Sequence, residues 1–339
     1  MTPTELETFL TKLVNGNVTI STMIWGAPGI GKSSIVAAVA EATSLQLIDV
    51  RLSQLAPTDL RGLPVARHGG EGQLGTSVWY PPEFLPRGGK GILLLDELNM
   101  APPSMQGVAQ QLILDRKVGS YQVPEGWYIW AAGNRKEDRA SVFEMPAPLG
   151  NRFLHVDVQA DLDSFKRYAF GAGVSEQMIA FLSFRPELLH RIDPTRPCWP
   201  SPRSWIMAAR LLEAGLPIAA AIGEPTETEY KAFLSVYGNL PDLDAVLAGN
   251  GNRVAFPTEL NVRYAVTVGL ASRVATAKQA ANAMQWIAEK ASHEWAQSCA
   301  LDIKQQMERR NRRGQFAILI KDNPMLTKFF AECQELIAA

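Results

Sequence analysis

An α/β fold, with a parallel five-stranded sheet covered by helices on both faces and an all-helical region after it, is what this 339-residue sequence predicts. Three observations predict it. From Thr19 to about Val158, short aliphatic or β-branched runs alternate with helical segments, the pattern of an open, mostly parallel sheet. One of these runs, Ile92-Leu93-Leu94-Leu95, is continuously apolar, as a central strand buried on both sides must be. After Gln159 the periodicity turns helical, with Gly or Pro punctuation in place of strand patterning.

The elements follow in order. Thr2-Pro3-Thr4-Glu5 has the form of a capping box, and Leu6, Phe9, Leu10, Leu13 and Val14 share one face of the helix it opens, so this is not a signal peptide. The first strand, Thr19–Trp25, leads into Gly26-Ala27-Pro28-Gly29-Ile30-Gly31-Lys32-Ser33-Ser34, which fits the Walker A pattern GxxxxGK[ST]. Glycines at 26, 29 and 31 let the backbone turn tightly, so that N–H groups and a helix N-terminus face one anionic concavity. In such a loop Lys32 reaches the β- and γ-phosphates of a nucleotide and Ser33 places its hydroxyl on Mg²⁺. The helix continues through Ile35, Val36 and Val39 on its inner face.

The second strand is Gln46–Leu52. The stretch 53–90 is far longer than an αβ crossover needs, and it holds Leu63–Arg67, a tip at His68-Gly69-Gly70-Glu71-Gly72, and Thr76–Tyr80. That is a hairpin signal over about 63–80. Trp79, Tyr80, Phe84 and Pro81, Pro82 and Pro86 are expected to close this insert against the domain. The third strand, Gly91–Asp96, delivers Asp96 and Glu97 to the edge where ligands bind in open α/β sheets, as a Walker B element does. Asp96 would hold Mg²⁺ through its water shell, and Glu97 would polarise the attacking water. A shorter hairpin is expected at 117–123, then the fourth strand, Trp127–Ala132, whose end carries Gly133-Asn134. Asn134 would position the attacking water, although an Asn at a strand end is also a common turn former. The fifth strand is Phe153–Val158.

In the helical region, Asp163–Phe170, Glu176–Phe184 and Ser204–Glu213 carry helical spacing. Ser201 is a good N-cap and Pro202 a good first helical residue. Arg203 then lies in the first turn, Trp205, Ala208, Ala209 and Leu212 form a buried face, and Gly215 is the stop. A cation in a first turn opposes the helix dipole, a cost that a phosphate would offset. The tail 281–339 is expected to form long helices with a break near Arg313-Gly314, and Phe316–Ile320 fits strand or helix. Arg309, Arg310, Arg312 and Arg313 are expected to form a solvated helix end.

Composition bounds the partners. Lys plus Arg number 33 against 34 Asp plus Glu, which leaves no global basic footprint of the kind nucleic-acid binders show. Cys198, Cys299 and Cys333 lie outside any CxxC pair, which suits reduced thiols in a cytoplasmic protein. His68, His155, His190 and His293 have no metal-ligand spacing. No apolar stretch reaches the roughly 18 residues of a membrane span.

Over residues 5 to 215 the chain resembles the AAA+ ATPases, and among them the MoxR-like group. The resemblance is carried by both Walker motifs, Asp-Glu-Leu-Asn at 96–99, Ala-Gly-Asn at 132–134, Asn151-Arg152-Phe153 and Ser201-Pro202-Arg203. It implies an αβα nucleotide-binding core over 1–159, an α-helical lid over 160–280 and a helical C-terminal extension over 281–339. It implies that Asn134 is sensor 1, that Arg152 is the arginine finger entering a neighbouring subunit's site, and that Arg203 is sensor 2; Arg135 and Arg139 are rivals for the finger. The hairpins at 63–80 and 117–123 match the helix-2 insert and the pre-sensor-1 insert of that clade. By the same resemblance the cofactors are ATP and Mg²⁺, the active form is a homo-oligomeric ring, hexameric in such proteins, and the activity is ATP hydrolysis driving chaperone-like remodelling. The partner implied is a protein bearing a von Willebrand factor A domain. Two other functions compete: a nucleotide-gated scaffold with little turnover, and a motor subunit of a DNA-acting defence system, which the near-neutral charge disfavours.

Overall fold

The computed structural model describes residues 1–68, 75–138, 142–235, 237 and 240–338, without the side chains of 333–338. The tip of the first hairpin, Arg139 and the Cys333 side chain lie outside the described residues. The chain forms two compact units, Met1–Asp161 and Leu162–Ala339.

The first unit runs α1 (Pro3–Asn15), β1 (Thr22–Trp25), α2 (Lys32–Ala42), β2 (Gln46–Arg51), α3 (Pro57–Arg61), β3 (Leu63–Arg67), β4 (Thr76–Tyr80), β5 (Gly91–Asp96), α4 (Pro103–Asp115), β6 (Lys117–Val118), β7 (Tyr121–Gln122), β8 (Trp127–Gly133), α5 (Ala147–Gly150) and β9 (Leu154–Asp157). Five strands form one parallel sheet in the order β2-β5-β8-β1-β9. Side chains alternate across it, so each buried strand feeds two cores. Ile24, Ile92, Leu94, Tyr128, Trp130 and Ala132 pack against α1 and α2. Met23, Leu93, Leu95, Ile129 and Ala131 pack against α4 on the other face. The Thr2 capping box is present, with Glu5 N–H donating to Thr2 Oγ1 and Thr2 N–H to Glu5 Oε2.

Several boundaries differ from expectation. The first strand begins at Thr22, not Thr19, because Ile20 is 52% exposed and finds no core to join. β3 and β4 pair antiparallel as the expected hairpin, with Leu63 opposite Tyr80. Tyr80 does not close the insert against the domain, for it is 61% exposed; Phe84 does so as expected, with Leu85 beside it. The second hairpin is reduced to β6 and β7, and Ser120 Oγ ties it to the first by donating to Trp79 O.

The second unit holds α6 (Leu162–Gly171), α7 (Glu176–Phe184), α8 (Pro202–Glu213), α9 (Ala219–Ile222), α10 (Glu224–Leu234), α11 (Leu243–Leu247), α12 (Leu260–Arg273), α13 (Ala277–Lys290), α14 (His293–Arg309), α15 (Arg313–Lys321) and α16 (Pro324–Ala338). The division expected at 280/281 falls inside α13, whose Ala280, Ala283, Met284 and Ile287 share one core with α11, α12, α14 and residues as far as Phe329. Phe316–Ile320 is helical. The break in the tail comes before Arg313-Gly314, at Asn311, whose φ of 54° Asn tolerates better than other side chains; Arg313 and Gly314 begin α15. Arg309 is an exposed helix end as expected, in the last turn of α14, and its guanidinium also donates to Phe170 O and, at 2.9 Å, to Gly171 O, capping the last carbonyls of α6. Inside the same unit Lys166 of α6 and Asp302 of α14 form a buried ion pair at 2.5 Å.

Candidate nucleotide site

The sheet order puts β1 beside β8 and β8 beside β5, so the C-terminal ends of these three strands form one rim. After β1 the chain turns through Gly29 (φ 83°) and Gly31 (φ 97°), conformations that L side chains rarely adopt, and Gly31 is the N-cap of α2. The first-turn N–H groups of α2 thus begin at Lys32 with no side-chain cap. Lys32 is buried, and its Nζ donates to Gly26 O (2.7 Å), Ala27 O (3.1 Å) and Asn134 Oδ1 (2.8 Å). Ser33 Oγ donates to Asp96 Oδ2 at 2.6 Å. The phosphate loop is therefore bonded to the ends of β5 and β8, and the sequence-predicted Lys32, Ser33, Asp96 and Asn134 meet.

Glu97 follows Asp96 with φ 56°, a left-handed backbone that costs a non-glycine residue strain. Asp96 Oδ1 holds it by accepting from Glu97 N–H at 2.8 Å, and the Ser53 hydroxyl donates to Glu97 Oε2. On the neighbouring strand Asp49 is exposed, yet partial desolvation of its carboxyl and the nearby Asp96 and Glu97 carboxylates push it above its ordinary range, with Arg51 opposing the shift. A hydroxyl and a carboxylate joined on a rim with two further acids nearby is a hard-oxygen donor set that fits Mg²⁺, which Ser33 and Asp96 would hold. Among the described residues, no group of three or more His, Cys, Asp or Glu side chains is arranged to hold a metal ion by itself.

Residues 21–153 match the family model described as an AAA domain of the dynein-related subfamily. The first unit is a P-loop AAA core. Among solved structures the chain is similar to NtrX from Brucella abortus in complex with ADP, at 16% identity and a TM-score of 0.41, with 94% of this chain and 67% of that one covered. It is also similar to the Thermotoga maritima RuvB Holliday junction branch migration motor, at 14% identity and a TM-score of 0.41, with 79% of this chain and 80% of that one covered.

The AAA core separates the candidate arginines. Arg152 is exposed, in a turn closed by Phe153 N–H to Gly150 O at 3.2 Å. Arg135 is tied within its own subunit, with Nε 3.2 Å from Asp157 Oδ1 and Nη2 donating to Val158 O at 2.8 Å. Arg203 belongs to the second unit, exposed in the first turn of α8 behind the Ser201 cap, and Trp205, Ala208 and Ala209 are buried as the spacing requires. Gly215 N–H bonds Leu212 O and Leu216 N–H bonds Leu211 O, a Schellman stop.

Two residues of the AAA core were given no role by the sequence. Asn99 is 3% exposed and grips the backbone of Asn134 from both sides: its Nδ2 donates to Asn134 O at 2.7 Å and its Oδ1 accepts from Asn134 N–H at 3.2 Å. Gly133 makes this possible, since a Cβ there would stand 2.5 Å from Asn99 Oδ1. Ser53 is the other, and only its position after β2, next to the strand that ends in Asp96, could have marked it.

Proposed function

We propose that the chain hydrolyses ATP. The observation that carries this is the bonded set Lys32–Asn134 and Ser33–Asp96, with Glu97 adjacent, on one rim of a parallel sheet. Lys32 and the N–H groups of residues 29–34 bind the phosphates, and Glu97 and Asn134 orient and polarise the attacking water. Mg²⁺, when bound, supplies charge neutralisation on the phosphate oxygens.

Arg152 acts on a neighbouring subunit's site. Leu154 pairs with Thr22 at the start of β1, so Arg152 lies at the sheet edge opposite the phosphate loop. The three strand steps from Leu154, after the turn that carries Arg152, to Asp157, which pairs with Trp25, span about 10 Å, more than an arginine side chain reaches. A trans-acting arginine calls for a homo-oligomer, and the resemblance to MoxR-like proteins adds a hexameric ring, Arg203 as sensor 2, chaperone-like remodelling and a partner with a von Willebrand factor A domain. No helix among the described residues is long and apolar enough to cross a membrane.

The test compares Lys32→Ala with Glu97→Gln. Lys32→Ala abolishes binding of a fluorescent ATP analogue, whereas Glu97→Gln keeps binding and loses phosphate release. Undiminished turnover in Glu97→Gln overturns the assignment. A wild-type protein that binds the analogue and releases no phosphate is the nucleotide-gated scaffold instead.

A further inference from the structure

His155 joins the two ends of the first unit's nucleotide machinery. Trp25, the residue before the phosphate loop, donates its indole Nε1–H to His155 Nδ1 at 2.8 Å, and the two rings lie nearly coplanar, 9° apart with centroids at 6.0 Å, as an in-plane N–H···N bond requires. The other ring nitrogen, Nε2, lies 2.7 Å from Gly150 O. An indole N–H can only donate, so Nδ1 must accept and the imidazole proton sits on Nε2, donating to Gly150. That carbonyl is the one that closes the turn carrying Asn151 and Arg152, through Phe153 N–H. Phe153 also meets the His155 ring edge-on at 6.2 Å, while its own side chain is buried in the α4-side core. The turn is thus fixed at one carbonyl by two donors, one of which is oriented by the residue adjoining Gly26.

We propose that His155 is a positioning residue for Arg152, fixing the turn that presents the guanidinium and tying it to the strand end that opens the phosphate loop of the same subunit. The proposal rests on the reading of Arg152 as a trans-acting arginine. Without the Nε2 donor the Gly150 carbonyl keeps only the 3.2 Å bond from Phe153, and the exposed Arg152 samples more directions. Misplacement of a catalytic group by about 1 Å costs on the order of 10²-fold in rate. His155→Ala should therefore lower phosphate release by about tenfold to a hundredfold. Affinity for the fluorescent ATP analogue should not change, because no phosphate-loop contact is lost.

The decisive experiment mixes full-length subunits. A His155→Ala subunit has a sound site and a poor arginine, so Glu97→Gln subunits, which supply a sound arginine, should restore its turnover. Arg152→Ala subunits share its defect and should not. Trp25→Phe, which keeps a ring but loses the indole N–H, should behave as His155→Ala does, and His155→Gln, which retains a donor for Gly150, should recover most of the activity. Wild-type turnover in His155→Ala overturns the proposal, as does rescue by Arg152→Ala or failure of His155→Gln to recover. If His155→Ala does not fold, Trp25→Phe and His155→Gln decide between the same outcomes. Mixing Arg152→Ala with Glu97→Gln is the control for the underlying reading: if that pair fails to complement, Arg152 is not a trans-acting arginine, whatever His155 does.

Discussion

Replacing Asn99 by Ala tests whether the position of Asn134 depends on a side chain that contacts no phosphate. The substitution removes two hydrogen bonds, to the N–H and to the C=O of Asn134, in a place where Asn99 is 3% exposed. A backbone group left unpartnered costs roughly 1–3 kcal/mol. Asn134 itself is half-buried, so water can reach part of it, and the lower half of that range applies to each group. The sum is a loss of about 2–4 kcal/mol. In a unit of this size each kcal/mol lowers Tm by roughly 2–4 °C, so a drop of about 4–16 °C is expected in a thermal melt. Turnover should fall further than stability explains, because the Asn134 Oδ1 that accepts from Lys32 is no longer held. The assay is a double-mutant cycle: steady-state phosphate release at a temperature where all variants are folded, for Asn99→Ala, Asn134→Ala and the pair. If Asn99 acts through Asn134, the double variant is no slower than Asn134→Ala alone. Additive losses would refute this reasoning.

Three other outcomes are expected. Asp302→Asn leaves Lys166 buried without its counter-ion and should cost about 3–5 kcal/mol in denaturant unfolding, whereas Lys166→Met combined with Asp302→Leu should cost much less. Asp49 has a native pKa above its unfolded value, so between the two the native state binds the proton more tightly and stability falls as pH rises through that window. Asp49→Asn should therefore melt higher than the wild type at neutral pH and no higher below the ordinary carboxylate range; an equal gain at both pH values counts against the charge explanation. Cys299 is fully buried and its thiol is pushed up by that burial, so iodoacetamide at pH 8 should label Cys198, which is partly exposed, and reach Cys299 only after unfolding.

What the sequence discloses here is local. Walker A and Walker B, the Ser201 cap and the Thr2 capping box each fit within a few residues, where residue type and spacing fix the geometry. The residues it does not disclose act across the chain: Asn99 reaches 35 positions to Asn134, Ser53 reaches 44 to Glu97 and Trp25 reaches 130 to His155. Such pairs depend on strand order, which sets β5 between β2 and β8 and places β9 beside β1, and no periodicity encodes that adjacency. The same reason explains why the bonds from Arg309 to α6 were not legible, although its place at an exposed helix end was. Tyr80 fails the other way: an aromatic in a hairpin suggests burial, yet it lies on an exposed two-stranded ribbon with no sheet to pack on.

If Arg152 acts in trans as proposed, the placement of the two groups also constrains assembly. Lys32, Asp96 and Asn134 occupy the C-terminal rim of the parallel sheet, and Arg152 precedes β9 at the N-terminal rim. A subunit built this way has one face that would receive an arginine and a different face that would offer one. A two-fold dimer satisfies such a subunit only if both rims fall within one self-complementary patch; a heterologous, head-to-tail contact satisfies it otherwise, and ends either in a closed ring or in an open filament. Every interface of a ring would then couple the phosphate loop of one subunit to the Gly150–Phe153 turn of the next. The Trp25–His155 link would carry the state of that turn back to the loop of its own subunit. Coupling between successive sites would follow from one hydrogen-bonded path inside the first unit, and it would be lost in Trp25→Phe even where each isolated site still binds nucleotide.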